Sequence, residues 1–235
     1  MSPSGLPGDA VRGVFVTGTG TGVGKTVVAG AICAALAARG ARVAAFKPAL
    51  TGLDEPPGPF PRDHELLAAA AGSGQPPEAV APWRYGPALS PHLAARLAGQ
   101  RIDVAALPAA ARRAAVQAGA DVLVCEGVGG LLVPLTERYL VRDLAVALGL
   151  PVVVAARPGL GTINHTLLTV EAARSAGLDV AGIVMTPWPE SPAPIAVSNR
   201  ESVAELADVA VSVLPPTQPA ALAAAGAALP LDDWL

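Results

Sequence analysis

At 235 residues the chain is long enough for one large, well-buried α/β domain and short for two. Hydrophobic residues make up 52% of it, but much of that is alanine, and no apolar stretch reaches the length that a bilayer-spanning helix requires. A net charge of −3 with dispersed Lys and Arg, and an aromatic content of only 3%, leave neither a basic stripe nor a stacking platform, which argues against a nucleic-acid partner.

Residues 1–12 are polar and rich in Gly and Pro, without the basic start and apolar middle of a secretory signal. They read as a disordered lead-in to a single domain over 13–235, with a cytoplasmic location expected. The next stretch, VFVTGTGTGVGKT over 14–26, organises the rest. Val14, Phe15 and Val16 begin a buried strand, four glycines (Gly18, Gly20, Gly22, Gly24) follow, and Lys25-Thr26 open an Ala-rich helix predicted over 26–39. Glycine permits the left-handed backbone angles with which successive N–H groups converge on phosphate oxygens, and a helix N-terminus adds partial positive charge. Gly22, Val23, Gly24, Lys25, Thr26 and Val27 are therefore the candidate triphosphate cradle, with Lys25 directed at the β- and γ-phosphates and the Thr26 hydroxyl at Mg2+. The spacing is irregular, because the G-x-x-x-x-G-K-[ST] pattern wants glycine where Thr19 stands.

A second strand, predicted over 42–46, delivers Lys47 to its C-terminal end, where Pro48 takes the chain out of the ladder. Ligands of open parallel sheets gather at that edge, although a solvated lysine at a strand exit has the same spacing. The proline-dense 53–62 is a loop, and Asp63 reads as the N-cap of a helix ending near Gly72. A second proline-rich connection, 75–91, carries Trp83, Tyr85 and the Ser90-Pro91-His92 step before a short helix over 93–97. His92 there reads as a capping or packing residue. A helix over 104–118 around Pro108 leads to a strand over 121–125, apolar enough to be buried on both faces. Glu126 follows it, and an unpaired carboxylate at the end of so apolar a strand is costly, which favours a magnesium role, direct or through water. Cys33 in a helix and Cys125 in this strand are too few for a disulfide framework or a metal knuckle and read as core thiols.

A helix over 140–149 and a strand over 151–155 close into a second glycine turn that includes Gly159, Gly161, Thr162, Ile163 and Asn164 and enters a helix. Amides at such a helix start bind an anion, and a turn without lysine suits a carboxylate better than a triphosphate. His165, in the first turn, reads as a surface residue. A strand over 179–185, a proline-broken loop through Trp188, a helix over 196–206 and a last strand over 209–214 follow, and periodicity says little about the Pro/Ala-rich tail from Pro215. The alternation of buried strands with helices predicts an α/β fold, a doubly wound, mostly parallel sheet of the P-loop NTPase kind with its functional loops at one edge.

Taken together and in order, GTGTGVGKT, KPALTG, SPH, CEGVGG and GTINHT resemble the dethiobiotin synthetase family over residues 14–188, and that family's nucleotide loop carries the same extra residue. The resemblance implies an ATP- and Mg2+-dependent ligase of biotin biosynthesis. Such an enzyme closes a ureido ring on 7,8-diaminopelargonate with CO2, through a carbamate and a carbamic-phosphoric anhydride, and releases ADP and phosphate. It implies Lys25 and Lys47 as the catalytic cations, Thr26, Asp63 and Glu126 as Mg2+ ligands, Gly127, Val128 and Gly129 beside the nucleotide, and Thr51 with Lys47 at the substrate. It also implies a homodimer with shared active sites, in which Gly161, Thr162, Ile163 and Asn164 of one chain take the carboxylate of substrate held by the other, with neither membrane nor nucleic acid involved. Two departures from the family stand out. Acidic loop residues are replaced by Gly20 and Gly22, and the Asn-Asp pair that reads adenine is replaced by Thr186-Pro187. Loss of these polar groups implies looser base discrimination, with nucleoside triphosphates other than ATP as possible co-substrates.

Two other functions share this fold. A ParA/MinD-type ATPase switch carries an additional lysine early in the loop, whereas residues 17–21 contain none, and no basic amphipathic helix for membrane attachment is evident. An amidoligase of the cobyrinate or CTP synthase kind needs an ammonia source, usually a glutaminase domain, for which the chain is too short.

Overall fold

The computed structural model describes residues 12–56, 58 and 60–235, so the lead-in expected over 1–12 lies, apart from Arg12, outside the described residues. The strands are β1 (Gly13–Gly18), β2 (Val43–Phe46), β3 (Val122–Glu126), β4 (Val152–Ala156), β5 (Val180–Met185) and β6 (Val211–Val213). They form one sheet in the order β2-β3-β1-β4-β5-β6, with every neighbouring pair parallel. The helices are α1 (Lys25–Ala38), α2 (Asp63–Ala71), α3 (Pro77–Val80), α4 (Pro91–Leu97), α5 (Leu107–Gln117), α6 (Val141–Leu148), α7 (Thr162–Arg174), α8 (Pro194–Ala207), α9 (Leu222–Gly226) and α10 (Leu231–Trp234).

The period-two geometry of a strand sends alternate residues to opposite faces, and apolar residues on both faces call for helices on both. Phe15, Ala44, Phe46, Leu123, Cys125, Val152 and Val154 face one core, which α4 to α8 cover through residues such as Leu107, Leu144, Val170 and Val203. Val14, Val16, Val43, Ala45, Val122, Val124 and Val153 face the other, covered by α1, α2, α3, α9 and α10 through Ile32, Leu67, Val80, Leu222 and Trp234. Cys33 and Cys125 are free thiols inside these two cores.

From β1 the chain winds out to β2, returns to β3 beside β1, and then crosses to β4 on the other flank. Loops leaving the strands on either side of such a reversal part from each other and open a crevice at the C-terminal edge. Register fixes what meets there. Val16 lies opposite Glu126 and Phe46 opposite Cys125, so Lys47, one residue beyond β2, emerges beside Glu126.

The differences from the sequence reading are local. Pro91 is the first residue of α4 rather than part of the loop, and it brings His92 into the helix; proline suits a first turn, where an N–H has no helical partner anyway. Pro108 likewise starts α5 instead of interrupting it. The last strand shortens to three residues. The tail is ordered as a 3-10 turn (Pro219–Ala221) followed by α9 and α10. Gly226 presses so closely on the Ala31 carbonyl of α1 that any side chain there would collide, and the Trp234 indole lies over Gly182. Both outer strands carry a side chain on their open flank. The Gln75 amide accepts from the Ala45 N–H (3.0 Å) and donates to the Ala45 carbonyl (2.9 Å) on β2, while Arg200 Nε donates to the Val211 carbonyl on β6 (3.1 Å).

Candidate active site

The glycine loop leaves β1 and turns into α1 through Gly22 and Gly24, both at positive φ. Gly24 is the N-cap residue at φ 97°, and a Cβ there would stand 2.5 Å from Thr186 Cγ2, so both conformation and space demand glycine. This contact also places Thr186 directly behind the loop. Lys25 begins the helix, and its Nζ folds back across the loop to donate to the Gly20 carbonyl at 2.7 Å. Burial lowers the Lys25 pKa to about 8, with Glu126 opposing and Lys47 reinforcing the shift.

Lys47, Asp63, Glu126 and Thr26 form one polar cluster at the ends of β2 and β3 and the starts of α1 and α2. Lys47 Nζ lies 2.6 Å from Glu126 Oε1 and 3.0 Å from Asp63 Oδ2, and the Thr26 hydroxyl donates to the same Glu126 Oε1 at 3.0 Å. Burial works against the Lys47 ammonium, but two adjacent carboxylates outweigh it and hold the pKa above the ordinary lysine value. The Lys47 charge keeps Asp63 below the usual carboxylate range. Glu126, wholly enclosed, is pushed upward by burial and further by Asp63. Its second oxygen, Oε2, is buried without a hydrogen-bond partner among the described residues.

Asp63 is therefore not the helix cap that its position suggested. It is the first residue of α2, Arg62 occupies the N-cap position, and the capping carboxylate is Glu65, which accepts the Arg62 N–H at 2.9 Å. That exchange releases the Asp63 side chain to the cluster.

The cluster forms part of a cleft of about 770 Å³. Gly22, Gly24, Lys25, Thr26, Val27, Lys47, Thr51, Asp63, Glu126, Val128 and Gly129 all line it. Val23 is instead buried beneath the loop, and the Gly127 N–H is committed to the Val16 carbonyl at 2.9 Å. Thr186 and Pro187 stand outside the lining, with the Thr186 side chain against Gly24. Phe60, Leu89, Ser90 and Pro91 also form part of the wall. Of these, only the Ser90-Pro91 step had attracted notice in the sequence.

Gly161, Thr162, Ile163 and Asn164 are not brought to this cleft within the chain. Gly161 is the N-cap of α7 at φ 88°, and Asn199 of α8 holds the preceding turn by donating to the carbonyls of Pro158 and Gly159, both at 3.0 Å. Around this turn Leu132, Leu160 and Leu168 are exposed, Leu160 at 91%. Beside them His165 lines a shallow groove along the outer side of the glycine loop. His92 lines a separate, smaller pocket with Arg96, Arg101 and Glu137.

Two arginines that the sequence reading passed over hold the site's loops. Arg157, just past β4, donates through Nε (3.0 Å) and Nη2 (2.7 Å) to the Gly22 carbonyl. Arg62 donates to three carbonyls of the loop that follows Thr51. Both bond to main chain, a kind of contact that leaves no trace in residue pattern.

Residues 12–219 match the family AAA_26, described as an AAA domain. The chain is 48% identical to the ATP-dependent dethiobiotin synthetase BioD of Anaeromyxobacter dehalogenans (strain 2CP-1 / ATCC BAA-258) over 83% of this chain and 86% of that protein. It is 43% identical to the protein of the same description from Mycobacterium avium (strain 104), over 90% of each, and 36% identical to that from Bacillus subtilis (strain 168), over 86% and 85%. Among solved structures, it resembles the cell division ATPase MinD of Pyrococcus furiosus with a TM-score of 0.52 at 21% identity, covering 94% of this chain and 90% of the other. It also resembles the septum site-determining protein MinD complexed with Mg-ADP from Pyrococcus horikoshii OT3, with a TM-score of 0.53 at 18% identity over 88% and 82%. At these identities the two structural likenesses speak to the fold alone.

Proposed function

The chain belongs to the ATP-dependent dethiobiotin synthetase family, and from that premise we propose that it closes the ureido ring of dethiobiotin on 7,8-diaminopelargonate, using CO2 and ATP. The observation that carries this reading is the convergence of Lys25, Lys47, Thr26, Asp63 and Glu126 on one cleft behind a glycine loop, with no serine, cysteine or histidine nucleophile among them. That is equipment for phosphoryl transfer by positioning and charge stabilisation.

In this chemistry one amine of the substrate adds to CO2 and loses a proton, giving a carbamate. A carbamate oxygen attacks the γ-phosphorus as the bond to ADP breaks. The second amine then attacks the carbonyl carbon, expels phosphate and closes the ring. Lys25, at the helix start, faces the phosphates, and Lys47, beside Thr51, faces the carbamate; each offsets negative charge that grows in the transition state. The amides of Gly22, Val23, Gly24 and Val27 cradle the phosphate chain, and Val128 and Gly129 border it, while Gly127 lies outside the lining with its N–H bonded to Val16.

The donor set fits Mg2+. Asp63, Glu126 and Thr26 offer hard oxygens, Glu126 Oε2 is buried and unpartnered, and two carboxylates plus a hydroxyl leave the remaining positions for phosphate and water, as this ion prefers. When bound, Mg2+ supplies charge neutralisation at the phosphates. Lys47 competes for the same two carboxylates, so the lysine is available to substrate when another cation takes its place. Glu126→Gln should raise the Mg2+ concentration required for half-maximal activity more than it weakens diaminopelargonate binding, and Asp63→Asn should do the same to a lesser degree. An unchanged Mg2+ titration for Asp63→Asn would remove that residue from the metal site.

Thr186, beside Gly24, and Pro187 occupy the two positions at which the resemblance puts an adenine-reading polar pair. We expect CTP, GTP and UTP to support initial rates comparable with ATP. Strict dependence on ATP in a side-by-side rate measurement would mean that the base is read by other groups.

The reading includes a cytoplasmic enzyme working as one domain over 13–235, with no nucleic acid or membrane partner; among the described residues no helix is long and apolar enough to cross a membrane. It also includes a homodimer in which Gly161, Thr162, Ile163 and Asn164 serve the partner's cleft. The exposed leucines around that turn support this arrangement. The direct experiment incubates the protein with diaminopelargonate, bicarbonate, Mg2+ and ATP and looks for the ureido product by mass spectrometry. Absence of product from folded protein under these conditions would overturn the assignment.

A further inference from the structure

Among its described residues the connection from Thr51 to α2 contains no strand or helix, yet Thr51, Phe60 and Pro61 line the cleft and Asp63 terminates the connection at the polar cluster. Something other than secondary structure must fix it. Its amides pair with the neighbouring loop: Gly52 donates to the Pro87 carbonyl (3.1 Å), Leu53 to Tyr85 (3.2 Å) and Asp54 to Gly86 (2.9 Å). Three of its carbonyls converge on one guanidinium. Arg62 Nη1 donates to Gly52 O at 2.8 Å, and Nη2 donates to Leu53 O at 3.0 Å and Glu55 O at 2.8 Å. The backbone N–H of Arg62 is held in turn by Glu65 on α2.

We propose that Arg62 is the positioning residue of the substrate side of the cleft. Its guanidinium binds the Thr51 loop to the start of α2 and thereby fixes the distance between Thr51 and the Asp63–Lys47 pair. The chemistry calls for arginine. A rigid planar fork presents donors to several acceptors at once, whereas a lysine ammonium on a flexible stem cannot span three carbonyls in fixed geometry. The sequence of the connection is rich in proline, which has no N–H to offer these carbonyls. Arg62 touches neither substrate nor nucleotide in this assignment. It acts through Thr51 on one side and Asp63 on the other.

The identity of the substrate rests on the proposed reaction, but the loop-holding role does not, and two measurements separate them. The first is steady-state kinetics of Arg62→Ala and Arg62→Lys with thermal melts. Arg62→Ala should raise KM for diaminopelargonate by about tenfold while KM for ATP changes less than about twofold, and Arg62→Lys should recover only part of the loss. The second is amide hydrogen exchange of the wild type and both variants without substrate. The Gly52, Leu53 and Asp54 amides should exchange at least about tenfold faster in Arg62→Ala, with those of α1 unchanged. Unchanged exchange at these three amides overturns the proposal, and so does an equal rise in both KM values or full rescue by lysine. Should Arg62→Ala not fold, Arg62→Lys, which keeps charge and stem, carries both measurements with smaller shifts. If the wild type makes no ureido product while exchange behaves as expected, the reaction assignment falls and the positioning role stands.

Discussion

Lys25→Ala and Lys47→Ala are each expected to lower turnover by at least about a hundredfold while leaving the protein folded. The two lysines reach the cleft from different elements, one from the start of α1 and one from the end of β2, and neither is replaced by another cation among the described residues lining it. Phosphoryl transfer of this type has no covalent step for the protein to perform, so loss of a preorganised charge falls directly on the barrier. Among the described residues Lys25 Nζ donates to the Gly20 carbonyl alone, and its removal breaks that hydrogen bond of the loop. Lys47 is more deeply committed, because its removal leaves Glu126 and Asp63 facing each other. Burial raises the Glu126 pKa and Lys47 opposes that rise, so removal of the lysine favours proton uptake at Glu126, which eases the repulsion from Asp63. Thermal melts monitor the fold, and kcat/KM with saturating Mg2+ reads the effect. Activity within a few-fold of wild type for either variant removes that lysine from the mechanism.

A mixed dimer of one Lys47→Ala subunit and one Gly161→Asp subunit is expected to regain roughly half of wild-type activity although each mutant homodimer is inactive. Gly161 caps α7 at φ 88°, so aspartate there both strains the turn and places a negative charge where a carboxylate is to bind. If each cleft draws its turn from the other chain, one of the two sites in the heterodimer contains both lesions and the other contains neither. Separately tagged subunits, co-expressed and purified through both tags, isolate that species. No recovery from folded heterodimers would place Lys47 and Gly161 in the same chain's site and would require the turn to reach a cleft that it does not line in the structure.

Much of this site could be read in advance because its charges interrupt strongly apolar context. Lys47 and Glu126 each stand at the end of a buried strand, where a charge is conspicuous, and GKT at a strand-to-helix junction is distinctive even with Thr19 in place of glycine. The parallel sheet followed from the alternation of elements, but the order β2-β3-β1-β4-β5-β6 did not, since it depends on which edges find each other in space. Residue pattern alone makes Asp63 a helix cap, because an aspartate at a helix start looks the same in sequence whether its carboxylate turns to its own backbone or away; only the resemblance implies a metal role. The shift of the cap to Arg62 and Glu65 decides the matter. Arg62 and Arg157 act on carbonyl groups, which every residue possesses, and so have no partner pattern to detect. The tail helices are short; close approach at Gly226 seats α9 on α1, and the Trp234 indole over Gly182 seats α10 on the sheet, neither of which periodicity reveals.

An open sheet ends in two rows of main-chain donors and acceptors that can recruit any extended peptide, including an unfolded copy of the same chain. Here Gln75 engages both main-chain groups of Ala45 on one flank and Arg200 occupies the Val211 carbonyl on the other. An incoming strand must first displace a satisfied amide or guanidinium, so it gains nothing until several residues have paired, and templated growth into fibrils is deprived of its first step. Gln75→Val, which removes the amide and adds β-branching beside β2, should therefore shorten the lag of aggregation at a temperature where the folded protein is still stable. Each flank thus carries one side-chain contact that an added strand must displace, whereas the exposed leucines lie on the helical layers and loops.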